Sequence, residues 1–272
     1  MNTQPNHPRL AGQSALVTGA NSGIGEGIAR ELAAQGANVA INYVVQPEAA
    51  QKVCDEINRA GGGKAIIVEA DVSKEAEVQA MFAAAVKQFG TLDILCSNAG
   101  IQRDSRLVEM TIEQWNQVIG VNLTGAFLCA REAAREFTRR WMREVSKALG
   151  KIVFTSSVHQ MIPWGGHCNY ATTKGGIMQL MESIAQELAQ QKIRVNSVCP
   201  GAIKTAINHN AWATPAAEQS LEKLIPCKRV GVPADIARVA AWLASDEADY
   251  IYGASIFVDG GMTLFPGFAT GG

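Results

Sequence analysis

Apolar residues along the chain fall in short unbroken runs, separated by longer stretches in which they recur every three or four positions. The runs at residues 14–18, 38–42, 64–69, 92–96, 151–155, 194–198 and 255–258 have the length and continuity of strands buried on both faces. The periodic stretches at 24–35, 47–60, 74–89, 123–145, 169–190 and 233–245 suit helices with one apolar stripe. Pro47 fits a first helical turn, and Ser73 offers a side-chain cap to the helix that follows it. Strict strand–helix alternation predicts an α/β fold built on a parallel sheet with helices on both faces. No Pro/Ser-rich linker and no repeat interrupts it, so residues 1–272 are expected to form a single domain, with 1–10 as a flexible tail. Residues 203–225, of mixed polarity and directly after the sixth strand, are a candidate lid. Arg139, Arg140, Arg143 and Lys147 have helical spacing and read as a solvated helix face.

Composition narrows the function. With 47% hydrophobic residues the chain can bury one sizeable core, and a net charge of -1 gives no reason to expect a polyanion partner such as nucleic acid. No apolar run is long enough to span a membrane, and residues 1–9 lack the apolar middle of a secretion signal, so a cytoplasmic location is expected. The six cysteines are scattered, as packing residues in a reducing compartment would be, and the four histidines lack metal-ligand spacing, so no metal site is expected.

The first strand runs into Thr18-Gly19-Ala20-Asn21-Ser22-Gly23-Ile24-Gly25 at the mouth of a helix. Glycines here let the backbone turn tightly and approach a pyrophosphate, while the helix N-terminus offers free N–H groups and a partial positive charge. The spacing is G-x-x-x-G-x-G. The rest of a dinucleotide site would lie at the other strand C-termini. Asp71-Val72 ends the third strand, where a carboxylate can accept from an adenine amino group, and the small Asn98-Ala99-Gly100 follows the fourth.

Tyr170 and Lys174 stand four residues apart and so share a helix face, while Ser157 follows the fifth strand. Moving a hydride to or from an alcohol carbon requires a matching proton transfer at oxygen. A tyrosine hydroxyl does this only if its pKa, about 10 when free, is brought toward the working pH, and a lysine ammonium favours the phenolate. Ser157 would hydrogen-bond the substrate oxygen, and Lys174 could also fix the nicotinamide ribose.

This ordered set, from the glycine turn through Asp71-Val72, Asn98-Ala99-Gly100, Asn122, Ser157, Tyr170 to Lys174 and Pro200-Gly201, resembles the short-chain dehydrogenase/reductase family over nearly the whole chain. The resemblance implies a Rossmann fold, doubly wound, with strand order 3-2-1-4-5-6-7. It implies Tyr170 as acid/base within a tetrad with Ser157, Lys174 and Asn122, the last holding a water that links Lys174 to solvent. Pro200, Gly201, Ile203 and Thr205 would border the nicotinamide. The family usually has Asn-Asn-Ala-Gly after the fourth strand, and Ser97 takes the first position here. Residues 156–164, 122–128, 196–207 and 259–266 are similar to the bacterial glucose 1-dehydrogenase group, which implies His159 and Gln160 on the sugar side of the pocket and oxidation of β-D-glucose to the lactone. Reduction of ketones or 3-oxoacyl thioesters is the alternative for the same tetrad, and a nucleotide-sensing regulator without chemistry is a third reading.

The second strand ends Asn42-Tyr43-Val44 without the acid that would repel a 2′-phosphate and without an arginine that would clamp one. Use of both NAD and NADP is therefore expected, with Asn42→Asp shifting preference toward NAD. The resemblance also implies a homotetramer, its interfaces built by the helices holding Asn122 and Tyr170 and by the last helix and strand. The apolar residues Leu264, Phe265 and Phe268 of the final segment are expected to be buried against a neighbour.

Overall fold

A computed structural model describes residues 8–264. Seven parallel strands form one sheet in the order β3-β2-β1-β4-β5-β6-β7. They are β1 (Ser14–Val17), β2 (Asn38–Tyr43), β3 (Ala65–Glu69), β4 (Ile94–Ser97), β5 (Gly150–Thr155), β6 (Ile193–Pro200) and β7 (Ser255–Val258). Every residue of β1, β4, β5 and β6 is buried, which is why these strands read as unbroken apolar runs rather than alternating ones.

Each face of the sheet has its own core. One unites Ile28 and Leu32 of α1 (Gly23–Ala34), Val53 and Ile57 of α2 (Pro47–Ala60) and Ile236 and Ala240 of α8 (Pro233–Ala244) with Val39, Ile41 and Val198. The other unites Met81 and Phe82 of α3 (Glu75–Phe89), Leu128 and Phe137 of α5 (Gly125–Arg139) and Ile177 and Met181 of α6 (Cys168–Leu188) with Leu16, Leu95 and Phe154. The ring of Phe137 presses on Gly150, where a Cβ would fall 2.1 Å from Phe137 Cδ2, so glycine is required where α5 crosses the start of β5. Among the described residues no helix is long and apolar enough to cross a membrane.

Four local expectations are corrected. Ser73 does not cap α3; its hydroxyl donates to Asp71 Oδ1 at 2.7 Å, and Lys74 holds the cap position with extended backbone. The helix expected over 123–145 is shorter, α5 ending at Arg139, and it is preceded by α4 (Ile112–Val118) and a π-helical turn, Ile119–Thr124, that were not expected. The basic cluster is a solvated face only in part: Arg139 and Lys147 are exposed, but the chain leaves the helix at Arg140 so that Arg140 and Arg143 converge on buried Asp93 at 3.0 and 2.7 Å. Finally, residues 8–10 are no loose tail: Leu10 is fully buried and its N–H donates to Gln35 O. Residues 1–7, Phe265 and Phe268 lie outside the described residues.

Candidate active site

The glycine turn is built by its neighbours. Gly19 and Gly23 adopt φ of +59°, a conformation that side chains disfavour. A Cβ on Gly25 would lie 2.2 Å from Gly19 O and 2.5 Å from Asn98 Nδ2. Asn98 clamps the turn from β4, donating to Thr18 O at 3.0 Å and Gly19 O at 3.2 Å, while Thr18 Oγ1 accepts from the Asn98 and Ala99 N–H groups. Ser22 caps α1 with extended backbone but makes no side-chain capping bond, so its first-turn N–H groups are left for an anion. The turn thus fits the pyrophosphate of a dinucleotide: its glycines let the backbone approach closely, and the Ser22 side chain leaves the first-turn N–H groups of α1 uncapped.

The flanking residues divide into those open to a ligand and those turned inward. Asn21 Nδ2 donates to Val45 O, bringing the turn against the exposed Val44 and Val45. Asn42 is the exception to the expected arrangement. It is fully buried; its Oδ1 accepts from Gly19 N at 3.1 Å and its Nδ2 donates to Ala70 O at 3.0 Å, so it supports the turn from beneath instead of facing a ribose. Tyr43 likewise packs into the core beside α2. Asp71 Oδ1 accepts from Ser73 N–H and hydroxyl; burial works against its ionised form, but these bonds and Lys74 bring its pKa below the usual value. Val72 is buried against Gly125 at the start of α5.

At the far end, Gly201 N–H donates to Val258 O. The Ile203 side chain is buried in the core, but its bridge to Gly231 uses Ala202 O and Lys204 N–H, so the Ile203 peptide groups point the other way. The Thr205 methyl would lie 3.3 Å from a Cβ at Gly23, which brings the segment after β6 against the glycine turn. The Thr205 hydroxyl donates to Asn208 Oδ1 at 2.9 Å.

Ser157, Tyr170 and Lys174 come together beyond the C-terminal end of β5. Lys174 is buried, its ammonium donating to Thr155 O at 2.8 Å and lying 5.4 Å from the Tyr170 ring centre. Burial pulls its pKa down to about 8, partly opposed by Cys199. Burial pushes the Tyr170 hydroxyl up; Ser157 and Gln102 act on it in the opposite sense, and the charge of Asp104 adds to the rise. Ser157 Oγ also accepts from His159 N–H at 3.1 Å, which fixes it at the head of a short 3₁₀ turn, Val158–Gln160. Asn122 sits in the π-helical turn, a wide turn often found at functional sites. Its side chain accepts from Ile101 N at 2.8 Å and donates to Ile101 O at 3.0 Å, with a longer contact of 3.3 Å to Thr173 Oγ1. Gly100 packs beside it.

An aromatic wall stands next to Tyr170. Trp164 is stacked between His159 (4.2 Å between centres) and His167 (3.5 Å), and meets Tyr170 edge-on at 6.3 Å. His159 Nδ1 faces Ile162 O at 3.0 Å, so that nitrogen must carry the hydrogen; burial lowers the His159 pKa, leaving a neutral ring whose Nε2 is an acceptor. Gln160 is turned partly away, its Oε1 accepting from the Cys199 thiol. Sequence reasoning gave no role to Gln102 and none to Trp164 beyond its place in the 156–164 stretch, since a lone glutamine or tryptophan in a loop carries no periodic signal.

With this geometry in place, the chain belongs to the short-chain dehydrogenase/reductase family. A family model described as enoyl-(acyl carrier protein) reductase matches residues 19–263. The chain is 45% identical to 3beta-hydroxysteroid dehydrogenase 1 of Eggerthella lenta over 262 residues, 96% of this chain and 98% of that one. It is 42% identical to glucose 1-dehydrogenase 2 of Bacillus subtilis over 258 residues, covering 94% and 97%. It is 44% identical to the 3-oxoacyl-[acyl-carrier-protein] reductase FabG of Staphylococcus aureus over 252 residues, covering 93% and 98%. A dehydrogenase structure from Agrobacterium tumefaciens with bound NADP superposes with a TM-score of 0.83 at 32% identity, covering 96% and 100%. The strand order matches the one that the family resemblance implied, and the family is one of oxidoreductase enzymes using NAD(P).

Proposed function

We propose that this oxidoreductase interconverts an alcohol and a carbonyl, with Tyr170 as the proton donor and acceptor. One observation carries the reading: Ser157, Tyr170 and Lys174 converge beyond β5, beside a glycine turn with uncapped helix N–H groups. Bound NAD or NADP would supply or accept the hydride. Gly19, Asn21, Ser22, Gly23, Ile24 and Gly25 would hold its pyrophosphate, Asp71 and Val72 its adenine, and the Ile203 peptide groups with Pro200, Gly201 and Thr205 its nicotinamide end. Ser157 orients the substrate oxygen. Tyr170 takes the proton of an alcohol during oxidation and returns it during reduction. Lys174 holds positive charge beside the phenolate. Asn122 spends its side chain on Ile101, so the water-holding role would fall to its main-chain carbonyl.

Within this class the leading substrate is β-D-glucose, oxidised at its anomeric carbon to the lactone. The Bacillus subtilis relative supports it, as does the neutral His159, an acceptor for a second substrate hydroxyl near Tyr170. A 3-oxoacyl thioester or other ketone is the second reading, favoured by the Staphylococcus aureus relative. A regulator without chemistry would not need the Ser157, Tyr170 and Lys174 set. Residues 203–225 would act as a lid, braced by the Lys204–Glu218 ion pair and by Asn208, which accepts from Thr205 and Trp212. A steady-state screen of sugars, steroids, ketones and thioesters with both cofactors tests the assignment. Glucose should be oxidised with the highest kcat/KM among the alcohols; turnover of thioesters without turnover of any sugar would replace this reading with the second.

A further inference from the structure

Tyr170 stands third in α6, so its N–H is one of the four that a helix start leaves without an intrahelical partner. His167, at the cap position, gives it no side-chain bond. Asn169 does so from inside the first turn: its Oδ1 accepts from the Tyr170 N–H at 2.7 Å, and its Nδ2 donates to Arg103 O at 2.8 Å in the segment after β4. On the other side of the same residue, Tyr170 O accepts from Thr173 Oγ1 at 2.7 Å. Thr173 Oγ1 in turn accepts from Asn122 Nδ2 at 3.3 Å, and Asn122 holds both Ile101 N–H and Ile101 O. These bonds close a ring. It runs from Tyr170 through Asn169 to Arg103, back along the chain to Ile101, and through Asn122 and Thr173 to Tyr170 again. Asn169 and Thr173 are fully buried and Asn122 nearly so, which shields their side chains from water. Beyond the ring, Ser105 N–H bonds Gly166 O, which ties the same segment to the chain that carries the aromatic wall.

We propose that Asn169 and Thr173 are positioning residues: by closing this ring they make the Tyr170 backbone and residues 101–103 one rigid body, and so fix where the Tyr170 hydroxyl meets the substrate oxygen. Helix formation alone does not call for them. Asparagine and threonine are poor helix formers, and a buried polar side chain costs stability unless it is bonded. Here three such side chains are spent on the two peptide groups of one residue and on one loop. Proton transfer repays that cost, because it is steep in distance: a misplacement of about 1 Å costs about a hundredfold in rate.

The inference rests on Tyr170 as the acid/base, and the two can fail separately. Thr173→Val removes the hydroxyl and keeps the shape, while Asn169→Ala cuts the ring at its other point. Hydrogen exchange, followed by mass spectrometry in the full chain without substrate, should speed up in the peptide over 98–106 in both variants. Thr173 is hydrogen-bonded to that peptide only through Asn122, so faster exchange there in Thr173→Val is the mark of a connected ring. With β-D-glucose, or with the 3-oxoacyl thioester if the screen selects it, kcat per cofactor site should fall about ten- to a hundredfold. Cofactor sites are counted by fluorescence titration with NADH or NADPH, and that affinity and KM should hardly change. Thr173→Ser, which keeps the hydroxyl, should behave as the wild type. Because both cuts open one ring, the double variant should lose little more than the more damaged single, whereas independent sites would multiply their losses. Unchanged exchange in Thr173→Val overturns the proposal even if activity falls. So do multiplied losses, an effect confined to KM, or a Thr173→Ser variant as impaired as Thr173→Val. If Asn169→Ala melts well below the wild type, Thr173→Val decides alone through exchange and kcat. Turnover retained by Tyr170→Phe would instead remove the acid/base assignment, whatever the exchange of the ring variants shows.

Discussion

Tyr170 stands between two opposed influences, burial that keeps its proton on and donors that help it off, and the balance gives the reaction a direction in pH. Accepting a proton from an alcohol requires the phenolate, so with the pKa raised in the free protein, kcat/KM for oxidation should climb with pH and that for reduction should fall. A flat oxidation profile from about pH 6 to about pH 9 would count against Tyr170 as the base. Tyr170→Phe should lower kcat by about 10²–10⁴ while cofactor affinity, read by fluorescence titration, stays nearly unchanged; retention of more than about a tenth of kcat would sink the assignment. The pair Tyr170 and Lys174 was legible because a shared helix face follows from spacing alone. Asn42 was misread because strand position does not say which way the last side chain turns. It supports Gly19 and Ala70 from inside, so Asn42→Asp would replace a donor to buried carbonyls with a charge, and loss of stability is expected in place of a shift toward NAD. We propose exposed Val44, beside the glycine turn, as the position that would face the 2′ group. Wild-type kcat/KM values for NAD and NADP should lie within about ten- to thirtyfold of each other. Val44→Arg should favour NADP by adding a bidentate cation. A wild-type ratio beyond about a thousandfold would mean that another residue reads this group.

The elements differ in how much of them a linear pattern can express. Strands β1, β2, β4, β5 and β6 and the cover helices were legible because burial on both sheet faces leaves a continuous apolar run, and one apolar stripe leaves a helical period; the edge strands β3 and β7 are apolar but only partly buried. The π-helical turn at Ile119–Thr124 was not, since it differs from the α-helices on either side in backbone winding, which leaves no mark in the order of apolar and polar residues. Arg140 and Arg143 of the basic cluster departed from the solvated face for a different reason: their partner, Asp93, is distant in sequence and becomes a neighbour only once β4 and β5 pair. Asp93 also accepts from Ser14 N–H at 2.8 Å, and Arg140 donates to Leu92 O at 3.0 Å, so one carboxylate ties β1, β4 and the exit of α5 at the end of the sheet opposite the active site. Removing its charge would leave Arg140, whose side chain is mostly covered, without its carboxylate. Asp93→Asn should cost about 3–5 kcal/mol in chemical denaturation, with kcat little changed in the protein that remains folded. A cost under about 1 kcal/mol would place the pair among ordinary surface ion pairs.

At the scale of the whole molecule, burial and exposure each leave a measurable mark. Lys151 and Lys174 are both held near a pKa of about 8, against about 10.5 in an unfolded chain. Between those values the unfolded state binds more protons, so this penalty is full below about pH 8 and fades as pH rises toward about 10.5. Buried Cys96 and Cys129, pushed up to about 12, act the other way above about pH 9, so the lysine contribution is isolated as a difference. The stability gained by Lys151→Met, or its loss made smaller, should shrink relative to wild type across that window; a pH-independent difference would show that Lys151 is not titrating there. Exposure points to assembly. Leu107, Val108, Ile112 and Phe127 are exposed apolar residues before and on α4 and on α5, and Tyr250 and Leu264 are exposed on either side of β7 in the chain. We propose these regions as the two-fold interfaces that the family resemblance implies; two different isologous patches on one chain would close into a tetramer with D2 symmetry. Phe127, 42% exposed with Arg131 stacked over its ring, is the aromatic anchor available on α5. Light scattering at micromolar concentration should give four times the 29.0 kDa chain mass, and Phe127→Glu should reduce it to a dimer by placing like charges across a two-fold axis. A monomer mass for the wild type would rule the assembly out, and a tetramer persisting in Phe127→Glu would remove α5 from the interface.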